Sequence, residues 1–280
     1  MDIHTRFAPS PTGRLHLGHA YSALRAHDAA RAEGGHFTLR IEDIDGTRSR
    51  PEHVAAIFAD LDWLGLTWDE PPTFQSQRLA LYQDALDRLR AMGLLYPCFC
   101  TRADIAASLS APHGPDGALY PGTCRHQRDP DLARPHSWRL DMARAAERAG
   151  PLVWQDAHAG TVIADPLAHG DVILARKDAP ASYHLAVTVD DAAQGISHVV
   201  RGRDLFTATH VHRLLQALLD LPTPAYLHHD LLAGPDGTRL AKRHGAPTLE
   251  SLRLAGQDGR ALADELRKGE VPIGFGTVEA

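Results

Sequence analysis

Phe7-Ala-Pro-Ser-Pro-Thr-Gly-Arg-Leu-His-Leu-Gly-His19 is the stretch on which the fold turns. A short apolar run ends in a Pro/Gly-rich loop, and His16 and His19 follow. Ala20 to Ala32 is Ala-rich, with apolar residues at helical spacing. This pattern predicts strand, loop and helix, with both imidazoles in the first helical turn. A helix N-terminus presents backbone N–H groups without helical partners and the positive end of the helix dipole, so it suits an anion. Gly18 lets a ligand approach the backbone, and the two imidazoles beside it suit a polyphosphate.

Working outward, Thr5 to Pro9 and Phe37 to Glu42 read as strands on either side of that helix. Glu52 to Leu64 and Ser76 to Met92 are helical by period, with Leu61, Leu64, Leu79, Tyr82, Leu86 and Leu89 as core. From Leu95 to about Gly170 the texture changes to Pro, Gly, His and Cys with short β-like runs such as Ser137-Trp-Arg-Leu140, which predicts an insertion. Strands return at Asp171 to Arg176, Ile196 to Arg201 and Ala225 to His229, with a helix from Ala208 to Leu219. Strand–helix alternation on both sides of an insertion predicts an α/β fold with a doubly wound parallel sheet. Residues 1–94 and 171–280 then form one discontinuous domain, and residues 95–170 form the inserted subdomain. Ligands bind such sheets at the carboxyl ends of the strands, where Arg6 to Ser10, Glu42 and Arg201 fall.

Composition bounds the function. The 280 residues suffice for a sizeable core. Hydrophobic content of 44% and charged content of 23% are those of a globular protein. No apolar run reaches membrane-spanning length and the start carries no signal-peptide architecture, so a cytoplasmic protein without membrane contacts is expected. A monomer is the default expectation rather than a reading of the residues. A formal net charge of −6 argues against general affinity for nucleic acid and leaves room for a local basic patch. The basic residues are nearly all arginine, and Lys177, Lys242 and Lys268 are the lysines.

All three cysteines fall in the insertion, as Cys98-Phe-Cys100 and Cys124. Cysteines concentrated in this way suggest a metal more than a disulfide. Zinc takes four ligands, and His126, His113 or Tyr120 could supply the fourth; chemistry alone favours a histidine.

The segment His16-Leu-Gly-His19 resembles the first signature of class I aminoacyl-tRNA synthetases, and the longer string Arg6 to His19 is similar to their glutamyl branch. Arg239-Leu-Ala-Lys-Arg243, in a glycine-rich polar loop, resembles the second signature, Lys-Met-Ser-Lys-Ser. It departs at four of five positions and keeps the lysine that matters chemically, Lys242. The resemblance covers about residues 3 to 250, stops before the helical region that reads the anticodon, and so points to the truncated paralogues of glutamyl-tRNA synthetase.

That resemblance implies a set of roles. His16, His19 and Lys242 are the catalytic residues and, with Gly18, hold ATP. Arg6, Phe7, Ala8, Pro9, Ser10, Glu42, Tyr183 and Arg201 bind glutamate, the arginines suiting carboxylates and Glu42 the α-ammonium. Val187 stands where full-length glutamyl enzymes often have asparagine, which hints at a specialised member. Cys98, Cys100, Tyr120 and Cys124 match the family's structural zinc site. The implied reaction forms glutamyl-adenylate from L-glutamate and Mg-ATP, then moves the glutamyl group to the queuosine base at the wobble position of tRNA(Asp). The same residues also fit a glutamate-adenylating ligase with a small-molecule acceptor, or a non-catalytic glutamate sensor.

Overall fold

Strand β1 (His4–Phe7) leads through the loop quoted above into α1 (Leu17–Ala32), and β2 (His36–Ile41) returns parallel to β1, His4 opposite His36 and Phe7 opposite Leu39. The structure is a computed structural model that describes residues 2–101, 104, 113, 114, 117–233, 247–268 and 276–278. Five of the six β2 residues are buried, as in a parallel strand covered on both faces. Helix α1 turns Ala20, Ala23, Ala26 and Ala30 inward, small residues that let it lie close to the sheet. Gly34, at φ 64°, ends the helix in the left-handed conformation that glycine adopts without strain. Strand β3 (Thr73–Phe74) adds to the far side of β2.

A second run of strands lies beside the first. Strand β11 (His198–Gly202) pairs parallel with β12 (Ala225–His229), β12 with β8 (Val153–Asp156), and β8 antiparallel with β9 (Gly160–Ile163). Ser197 ties the two groups together: its N–H donates to the His4 carbonyl at 3.0 Å, and its hydroxyl accepts from His4 N–H at 2.8 Å. The architecture is mixed α/β with a parallel sheet. A smaller antiparallel sheet, ordered β10 (Ile173–Ala175), β7 (Ser137–Leu140) and β4 (Leu95–Cys98), packs with α3 (Leu79–Ala91), α4 (Met142–Ala149), α5 (Tyr183–Ala193) and α6 (Ala208–Leu218) around a second core. Helices α2 (Pro51–Trp63), α7 (Leu249–Leu254) and α8 (Gly259–Arg267) belong with the first. Short antiparallel pairs β5 (His113–Gly114) with β6 (Gly117–Ala118), and β13 (Leu231–Ala233) with β14 (Gly276–Val278), complete the described elements.

The expected strands and helices recur within a few residues at each end. Three features differ from the sequence pattern. The hairpin 153–163, inside the expected insertion, is hydrogen-bonded into the parallel sheet, while β10, outside it, pairs with β7. Trp154 is the reason for the first: 1% exposed, it packs with Ile196, Val199 and Tyr226 of the sheet. Leu79, expected in the core, is 39% exposed, because it opens α3 and its side of the first turn meets solvent. Among the described residues no helix is long and apolar enough to cross a membrane.

Candidate active site

Where β1, β2 and β11 end, a cleft of about 430 Å³ opens. Arg6, Phe7, Ala8, Pro9, Ser10, His16, Gly18, His19, Glu42, Tyr183 and Arg201 all line it, as does Val187. Lys242 lies outside the described residues.

The start of α1 is capped by its own histidines. His16 is the N-cap; its Nδ1 accepts from Gly18 N–H at 3.1 Å, and His19 Nδ1 accepts from His16 N–H at 3.1 Å. The rings lie 3.8 Å apart between centroids. A nitrogen that accepts carries no proton, so this cap assigns each imidazole the neutral tautomer with Nε2–H as a donor. A Cβ at position 18 would stand 3.0 Å from His16 Cε1, so a larger residue there would press on the capping ring. The geometry gives two neutral donors at the positive end of a helix.

Behind Arg6 and Glu42, which line the cleft, acids and arginines interlock. Arg6 donates to both Asp191 oxygens, at 3.0 and 3.3 Å. Arg40, 0% exposed, lies 2.9 Å from Asp191, 3.5 Å from Glu42 and 3.8 Å from Asp190. Asp190 also accepts from Gln75, Arg78 and the Tyr82 hydroxyl. Burial pushes Asp191 up, but Arg6 and Arg40 overcome it and hold the carboxyl below its usual range. Glu42 ends on the other side of that balance. Burial raises it to about 7, with Arg40 and Arg6 opposing. Its Oε1 is buried and accepts no hydrogen bond. That oxygen lies 3.5 Å from the Arg40 guanidinium, too far for a hydrogen bond, so Glu42 is the least firmly paired acid of the cluster.

Arg201 is held differently. Its Nε–H donates to His228 Nε2 at 3.1 Å, Nη1 to Tyr183 Oη at 3.2 Å and His212 Nδ1 at 3.4 Å, and Nη2 to Thr209 Oγ1 at 2.6 Å and Leu205 O at 3.1 Å. Burial and the Arg201 charge push His228 down to about 4 and His212 well below its ordinary value, so both rings are neutral at physiological pH. Every partner described for Arg201 is therefore neutral, and the guanidinium faces the cleft with its charge intact. Arg40, Asp190, Asp191, Asp156, His212 and His228 had no part in the sequence analysis. Two adjacent aspartates in an otherwise apolar helix, Asp190-Asp191, are the signal that could have found the first cluster.

In the smaller sheet the sulfurs of Cys98, Cys100 and Cys124 lie within 4.8 Å of one another, with Cys100 and Cys124 at 3.6 Å. Zinc–thiolate bonds of about 2.3 Å imply sulfur pairs about 3.8 Å apart in a tetrahedron, so this donor set fits zinc. Tyr120 Oη is 3.6 Å from Cys100 Sγ and accepts from Cys124 N–H at 2.8 Å. The Arg139 guanidinium lies 3.8 Å above its ring. His126 is exposed and outside this group, and the side chain of His113 lies outside the described residues.

Comparison with known proteins places the chain. The family of tRNA synthetases class I (E and Q), catalytic domain, matches residues 2–267. A glutamyl-Q tRNA(Asp) synthetase of Rhodobacter capsulatus is 51% identical over 267 residues, which is 90% of this chain and 95% of that protein. Another, from Symbiobacterium thermophilum, is 47% identical over 272 residues, 93% of this chain and 84% of that one. Among solved structures, a glutamate tRNA ligase from Elizabethkingia meningosepticum in complex with its amino acid superposes with a TM-score of 0.74 at 27% identity, covering 89% of this chain. The present chain spans 54% of that ligase, about half its length. The chain therefore belongs to the class I tRNA synthetases of the E and Q type, and within them to the glutamyl-Q tRNA(Asp) synthetase family.

Proposed function

We propose that this protein is an ATP-dependent ligase that converts L-glutamate to glutamyl-adenylate and passes the glutamyl group to the queuosine base at the wobble position of tRNA(Asp). The observation that carries the proposal is Arg201, a buried cation in a neutral cage, on the same cleft as the two imidazole donors. The substrate's γ-carboxylate meets Arg201 and its α-ammonium meets Glu42. Arg6, held by Asp191, sets the floor between them. The α-carboxylate then attacks the α-phosphorus of ATP in line, and pyrophosphate leaves. Chemistry of this kind needs positioning and charge stabilisation, with no covalent enzyme intermediate. Nε2–H of His16 and His19 and the ammonium of Lys242 take up charge on the phosphate oxygens; Mg²⁺ enters with ATP. In the second step an acceptor hydroxyl attacks the activated carbonyl and AMP leaves. The names of the relatives support the acceptor.

Around this cleft we propose a doubly wound catalytic domain built mainly from residues 1–94 and 171–280, to whose sheet the 153–163 hairpin adds, and an inserted subdomain from the rest of 95–170, to whose sheet β10 adds. Cys98, Cys100, Cys124 and Tyr120 would hold one structural zinc there, a closed set that braces the fold and leaves no position for substrate. The protein would act as a monomer in the cytoplasm, where its tRNA is. Glutamate-dependent ATP–pyrophosphate exchange without tRNA tests the first step. Labelled glutamate offered to tRNA with and without queuosine tests the second. Absent exchange makes the chain a sensor, and exchange without transfer to queuosine tRNA makes it a ligase for another acceptor.

A further inference from the structure

We infer that Asp156 and His228 form a positioning pair that aims Arg201 without neutralising it, and that this pair sets the preference for a side-chain carboxylate over the corresponding amide. The inference rests on the proposal that the glutamate side chain meets Arg201.

The three residues come from neighbouring parallel strands. Arg201 of β11 lies opposite His228 of β12, and Tyr226 of β12 lies opposite Asp156 of β8. Arg201 is 4% exposed, His228 1% and Asp156 5%. Asp156 Oδ1 accepts from the N–H groups of His158 and Ala159, both at 2.9 Å. Its Oδ2 accepts from His228 Nδ1–H at 2.7 Å and His228 backbone N–H at 3.3 Å. Four donors converge on this carboxyl, so it is an ionised acceptor. It fixes the proton of His228 on Nδ1 and leaves Nε2 as the lone pair that receives Arg201 Nε–H. Neither Asp156 nor His228 lines the cleft that Arg201 faces. Both line a separate one, with His158, Arg203, Phe206 and Thr207. They act on substrate only through the arginine.

The alternatives show what the pair accomplishes. A carboxylate directly on Arg201 would cancel its charge, as Asp191 does for Arg6. An imidazole in the other tautomer would turn N–H against N–H. A neutral ring of fixed tautomer supplies orientation, and it keeps the compensating carboxylate a ring's width away.

Asp156→Asn separates tautomer from packing. The turn N–H groups continue to claim the amide oxygen, so the amide NH₂ takes the place of Oδ2 and donates to His228 Nδ1. The proton moves to Nε2, toward Arg201. The expected results are a switch of His228 from Nδ1–H to Nε2–H in ¹⁵N NMR of histidine-labelled protein, with the signal assigned by its loss in His228→Gln. The glutamate KM in pyrophosphate exchange rises about 10–100-fold, the worth of one charged hydrogen bond, while kcat stays within about threefold. Preference for glutamate over glutamine falls by the same factor. His228→Gln offers an acceptor with no tautomer to set, so adding Asp156→Asn to it costs under about threefold more. A wild-type His228 protonated on Nε2 overturns the inference, as does a tautomer switch that leaves KM and preference unchanged. Should Asp156→Asn fail to fold, the wild-type tautomer and the glutamine tolerance of His228→Gln decide. If wild-type protein shows no exchange, the functional proposal falls, and the pair is judged by glutamate binding measured calorimetrically.

Discussion

Two buried arginines face one cleft under opposite electrical regimes. Arg6 sits in a lattice of full charges, gripped by Asp191 with Arg40 and Asp190 behind it. Arg201 sits in a cage of hydroxyls, a carbonyl and uncharged imidazoles. The lattice is self-compensating, so it builds shape and offers little attraction to an anion. The cage holds no anion in contact with Arg201, and Asp156 compensates it only from behind His228, so it costs stability and its field reaches the cleft. A buried ion pair broken by removal of one partner is strongly destabilising, whereas a lone buried cation is stabilised by whatever anion arrives.

The largest test of this contrast is Arg40→Ala. It strands Asp190, Asp191 and Glu42 with fewer cations, and urea unfolding should show a loss of about 3–5 kcal/mol. A loss below about 1 kcal/mol would mean that the lattice does not hold the fold. Arg201→Ala should do the reverse: a smaller change in unfolding free energy, with kcat/KM for glutamate reduced by about 2–4 kcal/mol in transition-state terms. Equal stability losses in the two variants would erase the distinction. A pH series sharpens it further. Glu42 is raised to about 7, so lowering the pH through that value neutralises the carboxyl proposed to meet the substrate ammonium. Glutamate affinity should fall toward tenfold per pH unit on the acid side and level off above, over about pH 5–9. A flat profile would remove Glu42 from the ammonium. The smallest effect on the cleft is expected from Cys100→Ala, which lies in neither region. Metal analysis should show zinc lost and melting should fall, with exchange kinetics of the folded protein within about threefold. Tyr120→Phe should lower zinc content, whereas His126→Ala should not.

The lining of the cleft was legible in the sequence partly because its pieces sit in local strings and at strand ends, and partly through the family resemblance that picked out Glu42, Tyr183 and Arg201. Arg6 to His19 is one continuous string, and Glu42 and Arg201 close their own strands. The supporting charges were not legible, because pairing is a property of the tertiary fold. Arg6 and Asp191 are 185 positions apart, and His228 and Asp156 are 72 apart. The same holds for the 153–163 hairpin. Its strand period is visible in the alternation of exposed Val153 and Gln155 with buried Trp154 and Asp156. Nothing in that alternation names β12 as its neighbour. Leu79 has an apolar side chain at a helix terminus, where period says least about which side is covered.

The histidines at the start of α1 carry a further consequence. Each uses Nδ1 to finish the helix, which leaves Nε2 as the protonated end of the ring, so under the proposed role one side chain would serve the fold and the chemistry at once. Asparagine, serine or aspartate at position 16 would cap the helix as well or better. None would project a ring donor toward a phosphate. A descendant released from catalysis could therefore trade His16 for one of these residues at no loss of folding. On the proposed role, an imidazole at that position is what turnover would require beyond folding. His16→Asn separates the two, because it takes away the ring donor and keeps the helix start.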